Sequence, residues 1–239
     1  MSDPFVLVHG AWHGGWCWRR VAGLLREAGH EVFTPTLTGF GERAHLLSAD
    51  IGPDTLVQDV VAVLEYEELR DVVLVGHSFG ALVALAVAER APDRVRRIVL
   101  LDGLVVEPGE AGFAGLPPGS AAARTAAAEA TGGIAVPPPS GAAFGLADLD
   151  DIAWVDRRLT PHPLRTYAEP FPLRVPLGAG LPVTYVCCTD PAYPAVHSAH
   201  AIARREGWAF RDLPAGHDAM ISAPGPTAEL LMGSGTPRS

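Results

Sequence analysis

Short, uniformly apolar runs alternate along the chain with longer segments whose apolar residues recur at helical spacing. "PFVLVHG" reads as a strand, and "GGWCWRRVAGLLREAGH" as a helix that stops at Gly29. "EVFTP" predicts a second strand, cut by Pro35. From Asp54 to Leu69, Leu56, Val60, Val63 and Leu64 share one helical face, and Thr55 with Gln58 predicts a capping box. "VVLVG" is apolar at every position, as expected of a strand covered on both faces. "ALVALAVAER" is apolar nearly all round, which predicts a buried helix ending before Pro92. "VRRIVLLDG" is the next strand.

This alternation predicts an α/β fold, a mostly parallel sheet of about six strands flanked by helices. It pauses between residues 104 and 180, where prolines and glycines gather around "PPPS" and the alanine-rich "SAAARTAAAEA". It then resumes with "PVTYVCCTD", a helix from about Pro194 to Glu206, the strand "WAFRDL" and a helix from about Pro226 to Met232. The expected organisation is a core of residues 1–103 and 181–232. Residues 104–180 are read as an insertion folding over one end of the sheet as a small cap, and 233–239 as a frayed tail. "DIAWVDRRL" keeps helical spacing within the insertion, which a disordered linker would not need.

Composition narrows the function. The 239 residues are 48% apolar, enough to bury a large core, and the net charge is −9 with no basic stripe, which argues against nucleic-acid binding. All 18 basic residues are arginine, so lysine Schiff-base chemistry is excluded. Cys17, Cys187 and Cys188 lack metal-ligand spacing, and their odd number argues against a disulfide framework. No leader-like or membrane-spanning stretch precedes the first strand, so the expected location is the cytoplasm, away from membranes.

The chemistry gathers at "LVGHSFGAL", residues 74–82, where one serine interrupts two buried segments between Gly76 and Gly80. A nucleophile on a sharp strand-to-helix turn needs small neighbours two positions to either side, and the helix start offers N–H groups to a developing oxyanion. Ser78 is thus the candidate nucleophile. His217, in "LPAGHDAM" after the last short strand, stands where the chain order puts the general base. His77 is expected to point elsewhere along the turn, and His30, His45, His162, His197 and His200 to lie away from the sheet's carboxyl edge. The backbone N–H groups of Phe79 and Ala11 are the candidate oxyanion donors. Trp12 and His13 are candidate pocket residues.

"FVLVHGAWHGGWCW", "VLVGHSFGAL" and "GHDAM" together resemble the α/β-hydrolase superfamily. More narrowly, they resemble the small esterases related to plant methylesterases, salicylate-binding esterases and hydroxynitrile lyases. The resemblance implies a compact cap, a Ser-His-acid triad and no cofactor or metal. Hydroxynitrile lyases of this group carry a threonine and a lysine where this chain has Gly10 and Asp218, which favours the esterase side. The plant relatives place their acid six residues after a strand tyrosine. Counted from Tyr185 that slot is Pro191, with Asp190 one place early. Other branches take the acid from the end of the preceding core strand, where Asp102 stands. Asp102 is preferred and Asp190 retained.

The expected activity is hydrolysis of a small to medium, largely apolar carboxylic ester through an acyl-enzyme. Trp154, Phe144, Tyr167 and Phe171 of the insertion would shape the pocket. Thioester or lactone hydrolysis, acyl transfer or cyclisation, and a non-catalytic receptor pocket remain the alternatives. The small-molecule ester is the only partner expected, and a homodimer is left open.

Overall fold

Within each central strand, successive residues leave for opposite sides of one sheet, and this sorts the core into two layers. The computed structural model describes residues 3–233. In chain order its strands are β1 (Phe5–Val8), β2 (Val32–Phe33), β3 (Val72–His77), β4 (Val95–Leu101), β5 (Ala135–Val136), β6 (His162–Pro163), β7 (Val183–Cys188) and β8 (Ala209–Leu213). The helices are α1 (Arg19–Glu27), α2 (Pro53–Tyr66), α3 (Gly80–Arg90), α4 (Ser120–Glu129), α5 (Leu149–Asp156), α6 (Arg165–Ala168), α7 (His197–Arg205), α8 (Ala219–Ser222) and α9 (Pro224–Gly233). Six strands form one parallel sheet in the order β2-β1-β3-β4-β7-β8, as the βαβ pattern predicts.

One layer takes Val6, Val8, Leu74, Ile98, Leu100 and Tyr185 with the apolar faces of α2, α3 and α7. The other takes Phe5, Leu7, Val73, Val75, Val99 and Val186 with α1, α8 and α9. Burial on both faces is why β1, β3 and β7 carry apolar residues without polar alternation. Among the described residues no helix is long and apolar enough to cross a membrane.

One local expectation needs correction. The second helix starts at Pro53 with Gly52 as its cap residue, and no side chain caps it. Proline brings no N–H of its own to the first helical position, so Thr55 sits inside the first turn and forms no capping box. The alanine-rich stretch is helix α4, consistent with alanine's high helix propensity.

Residues 104–180 hold α4, α5, α6 and a separate two-stranded antiparallel pair of β5 with β6. They pack over the carboxyl ends of the sheet strands, with Val136, Phe144, Tyr167 and Phe171 joining the layer that contains Phe79. Of the expected tail, Gly233 closes α9, and residues 234–239 lie outside the described residues.

Candidate active site

The carboxyl ends of β3 and β4 set the first two groups. His77 pairs with Leu101 at the last register of these strands, and Ser78 and Asp102 are the next residues on each. Both turn through left-handed backbone conformations, φ +52° at Ser78 and φ +44° at Asp102. Non-glycine residues seldom adopt these angles, and they persist where surroundings over-determine them. Here the Ser78 N–H donates to the Leu101 carbonyl at 3.1 Å, and the Asp102 N–H to the Val186 carbonyl at 2.7 Å.

The turn at Ser78 leaves no room for larger neighbours. A methyl group on Gly76 would lie 2.6 Å from the Gly80 carbonyl oxygen, and one on Gly80 would lie 2.5 Å from that of His9. Strand and helix therefore touch backbone to backbone. The loop after β1 lies on the same spot: a methyl on Gly10 would sit 2.9 Å from Ser78 Cβ. Ala11 and Phe79 are buried beside it, and among the described residues neither backbone N–H donates to a protein acceptor.

His217 arrives on the loop between β8 and α8. Its Nε2 is 2.9 Å from Ser78 Oγ, and its Nδ1 is 2.6 Å from Asp102 Oδ2. The histidine is 2% exposed and the aspartate 1%. With Asp102 a carboxylate, Nδ1–H donates to it and Nε2 is left to accept the serine proton. Asp102 Oδ1 accepts the Cys188 N–H at 3.1 Å, so both oxygens are engaged. Asp190 is exposed on the turn after β7 and makes no hydrogen bond or ion pair with His217 among the described residues. The carboxylate on the imidazole is Asp102.

A second buried pair stands close by. His13 Nε2 lies 3.0 Å from Asp218 Oδ2, with side chains 1% and 0% exposed, and His13 Nδ1 meets the Ala11 carbonyl at 2.7 Å. Burial opposes protonation of His13, but the Asp218 charge and hydrogen bond together with the Ala11 carbonyl outweigh it and raise the pKa. His77, expected to point away from the serine, does so with a purpose. Its Nε2–H donates to the His217 carbonyl at 3.0 Å, tying the histidine loop to β3. Burial first, then the neighbouring imidazoles, hold His77 neutral well below the ordinary histidine range.

The aromatic residues divide. Phe144 lies 5.9 Å from Trp12 and 6.2 Å from His217 between ring centroids. Tyr167 lies 4.7 Å from Phe79. Trp12 is held by its indole N–H on the Val136 carbonyl at 3.0 Å and by Thr160 N–H on its own carbonyl at 2.9 Å. These three rings connect to the serine's neighbours, Phe144 through His217, Tyr167 through Phe79 and Trp12 through Phe144. Trp154 does not: it packs edge-on against Trp16 at 5.1 Å, with Arg158 and Arg20 over its ring. The face of α5 that carries Trp154 turns toward α1, where Arg20 pairs with Asp151. His13 belongs to the polar pair beneath the site, with Trp16 stacked on it at 5.3 Å.

Two residues passed over in the sequence also belong here. Tyr193 stacks on His217 with centroids 3.9 Å apart, its phenol pushed up to about 12, chiefly by burial. His162, expected away from the sheet edge, packs 4.5 Å from Phe79. A tyrosine beside two prolines in "DPAYP" carries no signal for this role. His162 could have been flagged only by the small sheet that delivers it.

A cavity of about 220 Å³ opens beside His217 between Phe144, Pro191 and Tyr193. A larger cleft of about 560 Å³ lies at the opposite end of β4, β7 and β8, near Arg96 and Trp208, remote from these groups. Asp102, Cys187 and His200 place ligand atoms within 4.8 Å of one another. Metal binding there would have to displace His217 or Cys188 from Asp102. It would also need a thiolate from Cys187, whose pKa burial and the nearby Asp102 and Asp212 charges push up to about 11.

Comparison with known proteins agrees with this fold. A model described as the alpha/beta hydrolase family matches residues 5–230. A carbendazim hydrolyzing esterase of Nocardioides sp. (strain SG-4G) is 41% identical over 245 residues, 97% of this chain and 99% of that protein. A probable esterase of Oryza sativa subsp. indica is 42% identical over 103 residues, 41% of this chain and 37% of that one. Among solved structures, an extracellular alpha/beta-hydrolase from a Paenibacillus species superposes with a TM-score of 0.84 at 25% identity, covering 98% of this chain and 100% of that one. That protein shares structural and functional homology with tobacco salicylic acid binding protein 2.

Proposed function

Because the chain belongs to the alpha/beta hydrolase family, we propose that it is a serine esterase in which Ser78, His217 and Asp102 act in sequence on a carboxylic ester. The observation that carries this reading is the continuous line from Ser78 Oγ through both imidazole nitrogens to Asp102, at 2.9 and 2.6 Å. Both separations are within the reach proton transfer requires.

Ser78 Oγ attacks the ester carbonyl carbon as His217 Nε2 takes its proton. Asp102 holds the Nδ1–H tautomer and stabilises the imidazolium that forms. The oxyanion turns toward the Ala11 and Phe79 N–H groups, each worth about 2.7–4 kcal/mol to the transition state. His217 then protonates the departing alkoxide, leaving an acyl-serine. Water, deprotonated by the same nitrogen, releases the acid and restores the hydroxyl.

Residues 104–180 act as the cap in this reading. Trp12, Phe144 and Tyr167 give the acyl pocket aromatic walls, which suit a small to medium, largely apolar ester. Carbendazim, the compound in the Nocardioides relative's name, is the first candidate substrate. The test is turnover of p-nitrophenyl acetate and butyrate, with carbendazim alongside. Ser78→Ala is expected to lower kcat by about 10⁴-fold or more. Turnover that survives this change overturns the nucleophile assignment.

A further inference from the structure

We infer that the wall formed by Arg124 and His162 is a subsite for a secondary amide carried by the substrate beside its scissile ester. This rests on the proposed ester hydrolysis and adds a recognition element to the same site.

Arg124 projects from α4 over two rings, its guanidinium carbon 4.5 Å from the Tyr167 centroid and 5.0 Å from that of Trp12. Among the described residues it forms no ion pair, whereas Arg20, Arg43, Arg90, Arg165 and Arg205 each have a carboxylate. Its Nη1 is out of solvent and has no hydrogen-bond partner among the described residues. A buried donor left without an acceptor is costly, so a guanidinium kept in this state invites an acceptor from a ligand.

His162 supplies the complementary group. Its Nε2 is 2.7 Å from Thr166 Oγ1, whose hydroxyl donates to the Pro163 carbonyl at 2.8 Å. Nε2 therefore carries the proton, and Nδ1 presents a lone pair. Nδ1 is buried and has no hydrogen-bond partner among the described residues. The ring lies 4.4 Å from Tyr167 and 6.0 Å from Trp12, so the two aromatics that border the orphan donor also border the orphan acceptor. Burial and the Arg124 charge keep this imidazole neutral.

An amide offers a carbonyl to Arg124 and an N–H to His162. A carboxylate would satisfy the arginine but set its charge against the lone pair, and an alkyl chain would satisfy neither. Trp12 follows Ala11 in the chain and Phe79 follows Ser78, so this wall adjoins the reacting carbonyl. Sites built around such hydrogen bonds discriminate strongly against analogues that lack them.

The test compares kcat/KM for p-nitrophenyl esters of N-acetylglycine, N-acetyl-β-alanine and the next homologue with alkanoate esters of equal length. The p-nitrophenyl monoester of glutaric acid is the anionic control. Wild type is expected to favour at least one amide ester over its alkyl counterpart by about tenfold to a hundredfold. Arg124→Met and His162→Phe should each collapse that ratio, mainly through KM, and Arg124→Lys should restore part of it. An amide-to-alkyl ratio near one in wild type overturns the inference, even if the variants do not fold. So does a ratio unmoved in Arg124→Met, or a glutarate monoester preferred over every amide. If the alkyl esters are turned over while the ratio stays flat, only the amide subsite falls. If no ester is turned over, both readings fall.

Discussion

Two buried carboxylate–imidazole pairs lie side by side under the same aromatic cover, and they differ in what the second nitrogen does. In Asp218–His13, the far nitrogen donates to the Ala11 carbonyl, both ring positions carry protons, and the pair is a closed ion pair. In Asp102–His217, the far nitrogen faces a hydroxyl and must accept. Burial and an aspartate are common to both. The reactive capacity proposed for the second comes from one acceptor site left open toward Ser78.

The comparison can be broken at either pair. Asp102→Asn should reverse the tautomer of His217, so that Nε2 carries the proton and cannot take one from Ser78. The expected loss in kcat is about 10⁴-fold with little change in melting temperature, read from steady-state kinetics beside thermal unfolding. Asp218→Ala should do the opposite. It strands His13 and costs about 3–5 kcal/mol of stability, seen as a lowered urea midpoint, while the folded fraction stays within about tenfold of wild-type activity. Equal losses of activity in the two variants would erase the distinction.

Acid sharpens it further. His9, His77 and His162 are held neutral in the fold, chiefly by burial, with His9 lowered to about 3. Once unfolded, each regains an ordinary pKa near 6.5 and binds a proton below it. The unfolded state then holds more protons, so stability falls as pH drops from about 6.5, by about 1.4 kcal/mol per pH unit for each histidine. His13, raised by its partner, works the other way: its contribution is full below about 6.5 and is lost as pH rises through its own folded value. Three against one predicts a protein markedly less stable at pH 5 than at pH 7, measured by urea titration. A flat profile would mean that these imidazoles are not held neutral. The smallest effect belongs to Asp190→Asn, expected to leave kcat/KM within about twofold. A large loss there would return the acid to the loop after β7.

The sheet and the serine turn were legible because they follow from local rules. Continuous apolar runs make buried strands, and Gly76 and Gly80 are spaced for backbone contact across a turn. The acid was legible only as a choice, since Asp102 and Asp190 both end strands and their burial depends on pairing. What the letters could not carry is the side of an element that meets the site. Trp154 was expected in the pocket and packs on Trp16, because helical spacing shows that α5 has an apolar face and not which way it turns. His162 was expected away from the sheet edge and Tyr193 was overlooked, because their positions come from a two-residue strand and an irregular turn. The capping box failed because the helix starts at Pro53, which puts its cap at Gly52, three residues before Thr55.

Ser78 and Asp102 each sit one step past paired strands, held by main-chain hydrogen bonds, whereas His217 rides on a connection tethered through His77, the Asp218 N–H on the Phe144 carbonyl and the Asp218 side chain on His13. Warming should therefore loosen the imidazole while the ladder beneath the other two groups stays intact. Reversible inactivation at temperatures where the sheet still resists deuterium exchange is the behaviour such an uneven anchorage produces.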